Sequence, residues 1–148
     1  LVMFAIILSI GLINLYNYAK NEKNTEIKHY KYIEMSQGLK DKIKSIDNYI
    51  LEAEQNGDRV YILDAEAAIY MIPIDRYNKD YDMFLKGNIG KDGEQGQIEK
   101  IKQKNDNEII LVRKSNLKTN WQTPKEVVEY VRENLEKIGE INIFEIYK

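Results

Sequence analysis

Residues 39–63, LKDKIKSIDNYILEAEQNGDRVYIL, contain the change from helical to extended chain that decides the fold. In the first part of this stretch, apolar residues recur at intervals of four and three, which predicts a helix with one apolar face. Those residues are Leu39, Ile43, Ile46, Ile50 and Ala53. Gly57 predicts the end of the helix. The run RVYIL at 59–63 lacks polar alternation, as is typical of a strand covered on both faces.

The same types of segment alternate along the rest of the chain. Residues 65–71 predict a short helix ended by Pro73, and residues 98–104 predict the end of another helix. The run EIILVR at 108–113 predicts a second buried strand. Thr123, Pro124 and Glu126 have the pattern of a capped helix start. The helix that follows is predicted to run to Gly139, with Val127, Val131, Leu135 and Ile138 on one face.

The last segment, INIFEIY at 141–147, predicts a third strand. Strands separated by helices favour a parallel sheet with right-handed crossovers. The sequence therefore predicts an α/β fold, namely a small three-layer domain with a mostly parallel sheet of three to four strands. An additional short strand is expected within residues 69–85.

An apolar run, LVMFAIILSIGLI at 1–13, precedes this domain, and the chain does not begin with methionine. The run is shorter than the roughly 20 residues that span a bilayer. Tyr16 and Tyr18 suit the headgroup region, and Lys20 can extend beyond it. We expect a transmembrane helix over residues 1–19 that is truncated at its start, a juxtamembrane linker over 20–36 and a soluble domain over 37–148. A signal-like segment and a buried helix are the alternatives.

Composition excludes several classes of function. The chain has 22 basic and 24 acidic residues and a net charge of −2, without the basic stripe of a nucleic-acid-binding protein. Because there is no cysteine, disulfides, thiol catalysis and cysteine-bound zinc are excluded. The single histidine, His29, is interpreted as a polar residue near the membrane surface. No catalytic residue, metal ligand or cofactor is predicted.

Asp64 and Glu66 follow the first strand and form one candidate ligand-binding pair. Ligands of open α/β sheets bind beyond the carboxyl ends of strands, where paired acids can hold a divalent cation on a diphosphate. The alternative is structural: Asp64 caps the next helix and Glu66 lies favourably in its first turn. Asp80 and Asp82 form a second acidic pair of the same kind.

A glycine-rich loop and an arginine complete the candidate ligand-binding residues. Gly87, Asn88 and Gly90 belong to a loop that can approach phosphate closely, or that simply forms a solvent-facing turn. The residues around it do not fit the P-loop pattern, which needs GK followed by serine or threonine. Arg76 can bind an anion bidentately, or pair with Asp75 or Asp80 at the surface. The only tryptophan, Trp121, either packs the following helix onto the sheet or stacks on a sugar.

Several stretches resemble the carboxy-terminal domains of multi-pass bacterial membrane glycosyltransferases of the C-type fold, which act in surface-polysaccharide and lipid-linked sugar pathways. They are VYILDAEAAIYMIPIDRYN, LKGNIG and WQTPKEV, followed by VEYVRENLEKIGEINIFEIYK. The resemblance covers about residues 55–148 and includes no catalytic motif. It implies a non-catalytic tail outside the cytoplasm that shapes an acceptor or donor cleft. The implied partners are the bilayer, the rest of the parent protein and a lipid-linked sugar.

Two other functions remain open from the sequence. One is a protein–protein docking module of a membrane protein, and the other is a metal-dependent nucleotide-sugar binding domain that uses Asp64 and Glu66. The membrane orientation is also contested. Lysines at 20, 23, 28 and 31 favour the cytoplasm by the positive-inside rule, whereas the resemblance favours an extracytoplasmic domain at the cell membrane. The extracytoplasmic placement is the prediction.

Overall fold

The computed structural model describes residues 9–16, 26–81, 83–114 and 123–148. The chain divides into two compact units, Leu1–Asp41 and Lys42–Lys148. Much of the predicted transmembrane helix and part of the linker lie outside the described residues, as do Asp82 and Trp121.

In the first unit, residues 9–16 are helical and every one of them is exposed. No helix among the described residues combines the length and the apolarity that crossing a membrane requires. Helix α1 (Gln37–Gln55) begins in this unit and continues into the second. Its start lies two residues before the predicted one, because the Ser36 hydroxyl accepts a hydrogen bond from the Leu39 N–H at 3.3 Å.

The second unit alternates helices and strands up to a final hairpin. Helix α1 ends beside Gly57, whose φ of 87° is the left-handed conformation expected at a helix end. The later elements are β1 (Arg59–Leu63), α2 (Ala67–Met71), a 3₁₀ turn (Ile72–Ile74), α3 (Gly93–Lys102), β2 (Glu108–Arg113), α4 (Lys125–Asn134), β3 (Lys137–Ile141) and β4 (Phe144–Tyr147). The bounds predicted for β1 and β2 are confirmed. The described residues of 69–85 contain no strand, so the additional strand expected there is wrong.

The domain has the predicted mixture of helices and strands, but the prediction of a mostly parallel sheet is wrong. The four strands lie in the order β1-β2-β4-β3. β1 and β2 are parallel, whereas β4 is antiparallel to both of its neighbours, β2 and β3. The only parallel pair in the described sheet is therefore the one joined by the α2–α3 crossover.

The error arises at the end of the chain. Helix α4 ends at Asn134 and does not reach Gly139 as predicted, and residues 137–141 form β3. Asn142, with a φ of 50°, lies in the tight turn between β3 and β4. The strand predicted at 141–147 therefore corresponds to this turn and to β4, the second strand of a hairpin. Pairing with β4 satisfies the backbone groups of 137–141, and a shift of register between Lys137 and Gly139 accommodates the irregular start.

Both faces of the sheet are covered. One face contributes Tyr61, Leu63, Ile110, Val112 and Tyr147 to a core completed by apolar residues of α3, α4 and the loop before α3. The opposite face carries Val60, Ile62, Ile109, Leu111, Phe144 and Ile146, which are all buried. On that face the ring of Tyr70 from α2 meets Phe144 edge-on, with centroids 5.5 Å apart.

The start of α4 also differs from the prediction. The residue before the helix is Pro124, and no side chain from the expected Thr123 capping box bonds the first turn. Instead, Glu94 of α3 accepts a hydrogen bond from the Glu126 N–H at 2.8 Å. A carboxylate at this end satisfies a free N–H and complements the helix dipole. The cap therefore comes from a neighbouring helix, which no local pattern reveals.

Candidate functional site

The structure brings Asp64 and Glu66 together around Arg113, which the sequence places only at the end of the second predicted strand. Arg113 ends β2, beside the carboxyl end of β1. Its Nε bonds Asp64 Oδ2 at 2.5 Å, and its Nη2 bonds Asp64 Oδ1 at 2.9 Å and Glu66 Oε2 at 2.6 Å. Asp64 also accepts the Glu66 N–H at 2.8 Å and so holds the turn before α2. The structural alternative is wrong in detail, because Glu66 is the residue before the helix and no side chain caps its first turn.

Arg113 is held from several directions. Its guanidinium lies 5.8 Å from the centre of the Phe144 ring, and Arg132 donates to its carbonyl oxygen at 2.9 Å. Burial lowers the pKa of Arg113, but the hydrogen bonds and charges of Asp64 and Glu66 outweigh it, so the pKa is raised. Both candidate acids are thus occupied by a cation of the chain itself. Within the described ranges no group of three or more histidines, cysteines and acids is placed to hold a metal ion.

The predicted glycine loop forms a tight turn. Gly87 and Gly90 have φ values of 91° and 90°, which favour glycine, and the Asn88 N–H bonds the Leu85 carbonyl at 2.8 Å. Beside them Ile89 is buried, and its carbonyl accepts a hydrogen bond from Gln97 at 2.8 Å. The geometry of Gly87, Asn88 and Gly90 is therefore accounted for by turn formation.

Arg76 pairs with an acid far from it in sequence. Its Nε and Nη2 bond both carboxylate oxygens of Glu54 on α1, at distances of 2.8 to 3.1 Å. Its Nη1 also donates to the Ile74 carbonyl at 3.2 Å. The sequence indicates the nearer acids Asp75 and Asp80 as partners, whereas the structure pairs Arg76 with Glu54. The bidentate pair instead fixes the loop after the 3₁₀ turn against α1.

Arg76 also lines a cavity of about 420 Å³ beside β1, which we call the β1 pocket. This volume lies in the range of small-molecule sites. α1, β1, α2 and the loop at 76–79 all contribute to its wall. The lining residues are Ile50, Glu54, Arg59, Val60, Tyr61, Met71, Arg76, Tyr77 and Lys79.

A buried asparagine holds one wall of the β1 pocket in place. Asn78 is 2% exposed, and its amide accepts the Ile62 N–H at 3.0 Å and donates to the Ile62 carbonyl at 2.6 Å. It therefore pairs with the free edge of β1 as a neighbouring strand would. The same contact presents Tyr77 and Lys79, on either side of Asn78, to the cavity.

The β1 strand supplies a peptide group to the same cavity. Ile62 turns its N–H and carbonyl toward Asn78, away from β2. Because alternate residues of a strand in a parallel pair face the same edge, Val60 directs its peptide groups to this edge as well. Val60 lines the pocket. The Val60 N–H is therefore directed toward the edge of the sheet at which the pocket lies.

Charge at the pocket is predominantly positive. Three cations, Arg59, Arg76 and Lys79, line it together with one acid, Glu54. Glu54 is engaged by Arg76, and among the described residues neither Arg59 nor Lys79 has a carboxylate within salt-bridge distance. Arg59 donates to the Tyr61 hydroxyl at 3.4 Å, and this contact raises its pKa, with smaller contributions from the charges of Glu108 and Asp80. The pocket is thus a concave surface suited to an anion.

Sequence reasoning identified Arg76 but not Arg59, Tyr77 or Lys79. The sequence contains two signals for these residues. Arg59 is a cation at the start of the edge strand, and the segment DRYNK at 75–79 has two cations and a tyrosine within five residues. Neither signal shows that the two segments adjoin. The chain matches no model of a known protein family, no curated protein and no solved structure.

Proposed function

We propose that this chain is a non-catalytic, membrane-tethered domain of a larger membrane protein in cell-envelope glycan or lipid-linked sugar metabolism. Its β1 pocket forms part of the cleft that receives an acceptor or donor. The domain lies on the extracytoplasmic side of the cell membrane. The resemblance of residues 55–148 to the tails of C-type membrane glycosyltransferases supports the pathway, and two structural observations support the tether and the cleft.

The proposed membrane tether is supported by the exposed helix at residues 9–16. Ile10, Leu12, Ile13, Leu15 and Tyr16 have exposures between 54% and 67%. Exposed apolar side chains along a continuous segment are typical of a surface that binds a membrane or another protein. Lipid is the cover we propose, because Tyr16 follows the apolar residues at the level where aromatic side chains meet headgroups.

The β1 pocket supports the cleft. A cleft for a phosphate-linked sugar needs positive charge and polar donors, and the pocket is lined by Arg59 and Lys79, which have no salt bridge among the described residues, and by Val60 of the edge strand. The alternative nucleotide-sugar site at Asp64 and Glu66 is less favoured, because Arg113 already pairs with both acids. The docking alternative calls for an apolar patch beside the last strand. There Phe144, Ile146 and Tyr147 are buried and Ile138 is exposed.

The reading frame upstream of Leu1 tests the proposal at the lowest cost. Several further hydrophobic segments of about 20 residues are expected, since the domain is proposed to belong to a multi-pass protein. A start codon within a few residues of Leu1 would exclude the multi-pass parent.

Flotation of the full chain with liposomes tests the tether. The chain is expected to float, and the variant Ile10→Ser/Leu12→Ser/Leu15→Ser to stay in solution. The matched control Ile72→Ser/Met83→Ser/Ile138→Ser removes the same number of exposed apolar side chains elsewhere and is expected to float. Equal behaviour of the two variants would refute the lipid tether.

Glycan output of the parent protein in cells tests the cleft. The variant Arg59→Gln/Lys79→Gln is expected to lower glycan output at unchanged protein abundance. The control Lys100→Gln/Lys125→Gln removes the same charge from exposed positions of α3 and α4, and it is expected to have no effect. Unchanged output from the pocket variant would remove the cleft role.

A further inference from the structure

We infer that the β1 pocket is a binding site for a phosphate or diphosphate group, held by Arg59, Lys79 and the Val60 N–H. The inference rests on the proposed function in one respect, that the pocket belongs to a cleft. It adds the chemical class of the ligand and the groups that hold it.

Charge complementarity favours a phosphate. Glu54 neutralises Arg76 through a bidentate pair, so the lining cations without a salt bridge among the described residues are Arg59 and Lys79. Glu108 and Asp80 act on Arg59 from a longer distance and offset part of its charge. A phosphate monoester carries about −1.5 to −2 charges near neutral pH, which matches two cations. A carboxylate carries a single charge and two oxygens, and one arginine fork satisfies it. Arg59, Lys79 and the Val60 N–H together suit a tetrahedral phosphate, which has more oxygens than a carboxylate has.

The backbone that carries these groups is held in place without the ligand. Asn78 holds the 76–79 loop to Ile62 through two hydrogen bonds, and Arg76 holds it to Glu54 on α1. Arg59 belongs to the edge strand, and Lys79 to the anchored loop. Preorganisation of this kind lowers the entropy lost on binding.

The rest of the pocket suits the group that carries the phosphate. Tyr77 is 74% exposed and leaves its ring available for contact, while Ile50, Val60 and Met71 give the wall apolar patches. The cavity of about 420 Å³ exceeds what a single phosphate fills. A ring or the first part of an alkyl chain therefore fits beside the phosphate, as in a sugar phosphate or a prenyl phosphate.

Isothermal titration of the full chain at low salt tests the inference, with inorganic pyrophosphate, glucose 1-phosphate and geranyl phosphate as probes and geraniol as the uncharged control. Saturable binding of at least one phosphate probe is expected, weakening as salt rises. Arg59→Gln/Lys79→Gln is expected to lower affinity at least about tenfold, corresponding to loss of one charge-assisted hydrogen bond. Lys100→Gln/Lys125→Gln is expected to bind as the parent chain does.

The probes distinguish the source of the phosphate. Tighter binding of geranyl phosphate than of pyrophosphate identifies a lipid-linked group, and the reverse order identifies a free phosphate; either order supports the site. The inference is overturned if no phosphate probe binds, if geraniol binds as well as geranyl phosphate, or if the two double variants bind equally. If the chain fails to bind phosphate while Arg59→Gln/Lys79→Gln still lowers glycan output, the cleft role survives and the ligand class does not.

Discussion

Asn78 shows how one residue can hold both the fold and the site. An edge strand leaves peptide groups unpaired, and the Asn78 amide satisfies both groups of Ile62 within the core. A third hydrogen bond, to the Tyr81 carbonyl at 3.2 Å, closes the loop on itself. Loss of this amide would leave the buried Ile62 peptide without a partner and release the segment that carries Tyr77 and Lys79.

We expect Asn78→Ala to lower the free energy of unfolding by about 1–3 kcal/mol, the usual cost of leaving buried polar groups unsatisfied. Urea unfolding followed by circular dichroism measures it. Asn56→Ala is the matched control, because Asn56 is exposed in the turn after α1, and a change within about 0.5 kcal/mol is expected. Equal changes in the two variants would show that the Asn78 amide adds no specific stability.

Asp47 is a second buried polar residue, on the inner side of α1. It is 9% exposed, and its Oδ1 makes no hydrogen bond within the described structure. Burial raises its pKa from 3.8 to about 7, because the charged form loses hydration that nothing replaces. The folded state therefore binds this proton more tightly than the unfolded chain does. Stability from this group is fully present below about pH 4 and is lost as the pH rises toward 7.

We expect Asp47→Asn to remove this loss, which amounts to roughly 4 kcal/mol at about 1.4 kcal/mol per pKa unit. The variant should be more stable than the parent chain at pH 8, and its stability should change less between pH 4 and pH 7. Thermal unfolding at a series of pH values measures both. Asp106→Asn, at an exposed position, controls for the change in net charge. A pH dependence that persists unchanged in Asp47→Asn would place its source elsewhere.

Among the secondary-structure elements, α4 depends on α3 for its start. Glu94 of α3 accepts the Glu126 N–H at 2.8 Å, and Gln95 donates to the Glu126 side chain at 3.2 Å. These contacts cross between helices that cover the same face of the sheet. The beginning of α4 is thus fixed by tertiary contact, although its sequence carries a local capping pattern.

We expect Glu94→Ala to lower the free energy of unfolding by about 0.5–2 kcal/mol, as for the loss of a helix cap. Thr123→Ala, which removes the cap suggested by the sequence, should change it by less than about 0.5 kcal/mol. Chemical denaturation of both variants in parallel measures the difference. The opposite ranking would show that the local capping box forms in solution.

Across the whole molecule, the strand order places β2 and β4 inside the sheet and β1 and β3 at its edges. The inner strands are paired on both sides, so their peptide groups are satisfied and covered. β1 is protected at its edge by Asn78, whereas β3 is largely exposed or half-buried along its length. The two edges therefore differ in how well they are shielded.

We expect native-state hydrogen exchange to follow this order. Amides of Leu111 and Ile146 in the inner strands should exchange at least about 100-fold more slowly than the outward amides of β3. The Ile62 amide should behave like an inner-strand amide because Asn78 accepts its N–H. Exchange that is uniform over all four strands would contradict the strand order.

Sequence reasoning was most accurate where one segment determines its own structure. The apolar period of α1 and the unbroken runs of β1 and β2 reflect burial of a continuous stretch, and their predicted bounds match within two residues. It failed at the final hairpin, because Val127, Val131, Leu135 and Ile138 continue a helical spacing into residues that pair as a strand. Strand pairing outweighed helical periodicity there.

The sequence by itself determined α1, the strands β1 and β2 and the mixed α/β class. Only the tertiary structure decided the direction of β4, the pairing of Asp64 with Arg113 and the assembly of Arg59, Tyr77 and Lys79 around one cavity. The physical reason is separation along the chain. Asp64 and Arg113 are 49 residues apart, and Glu94 and Glu126 are 32 apart. Local propensity acts over a few residues, whereas these contacts form only when the sheet brings distant segments together.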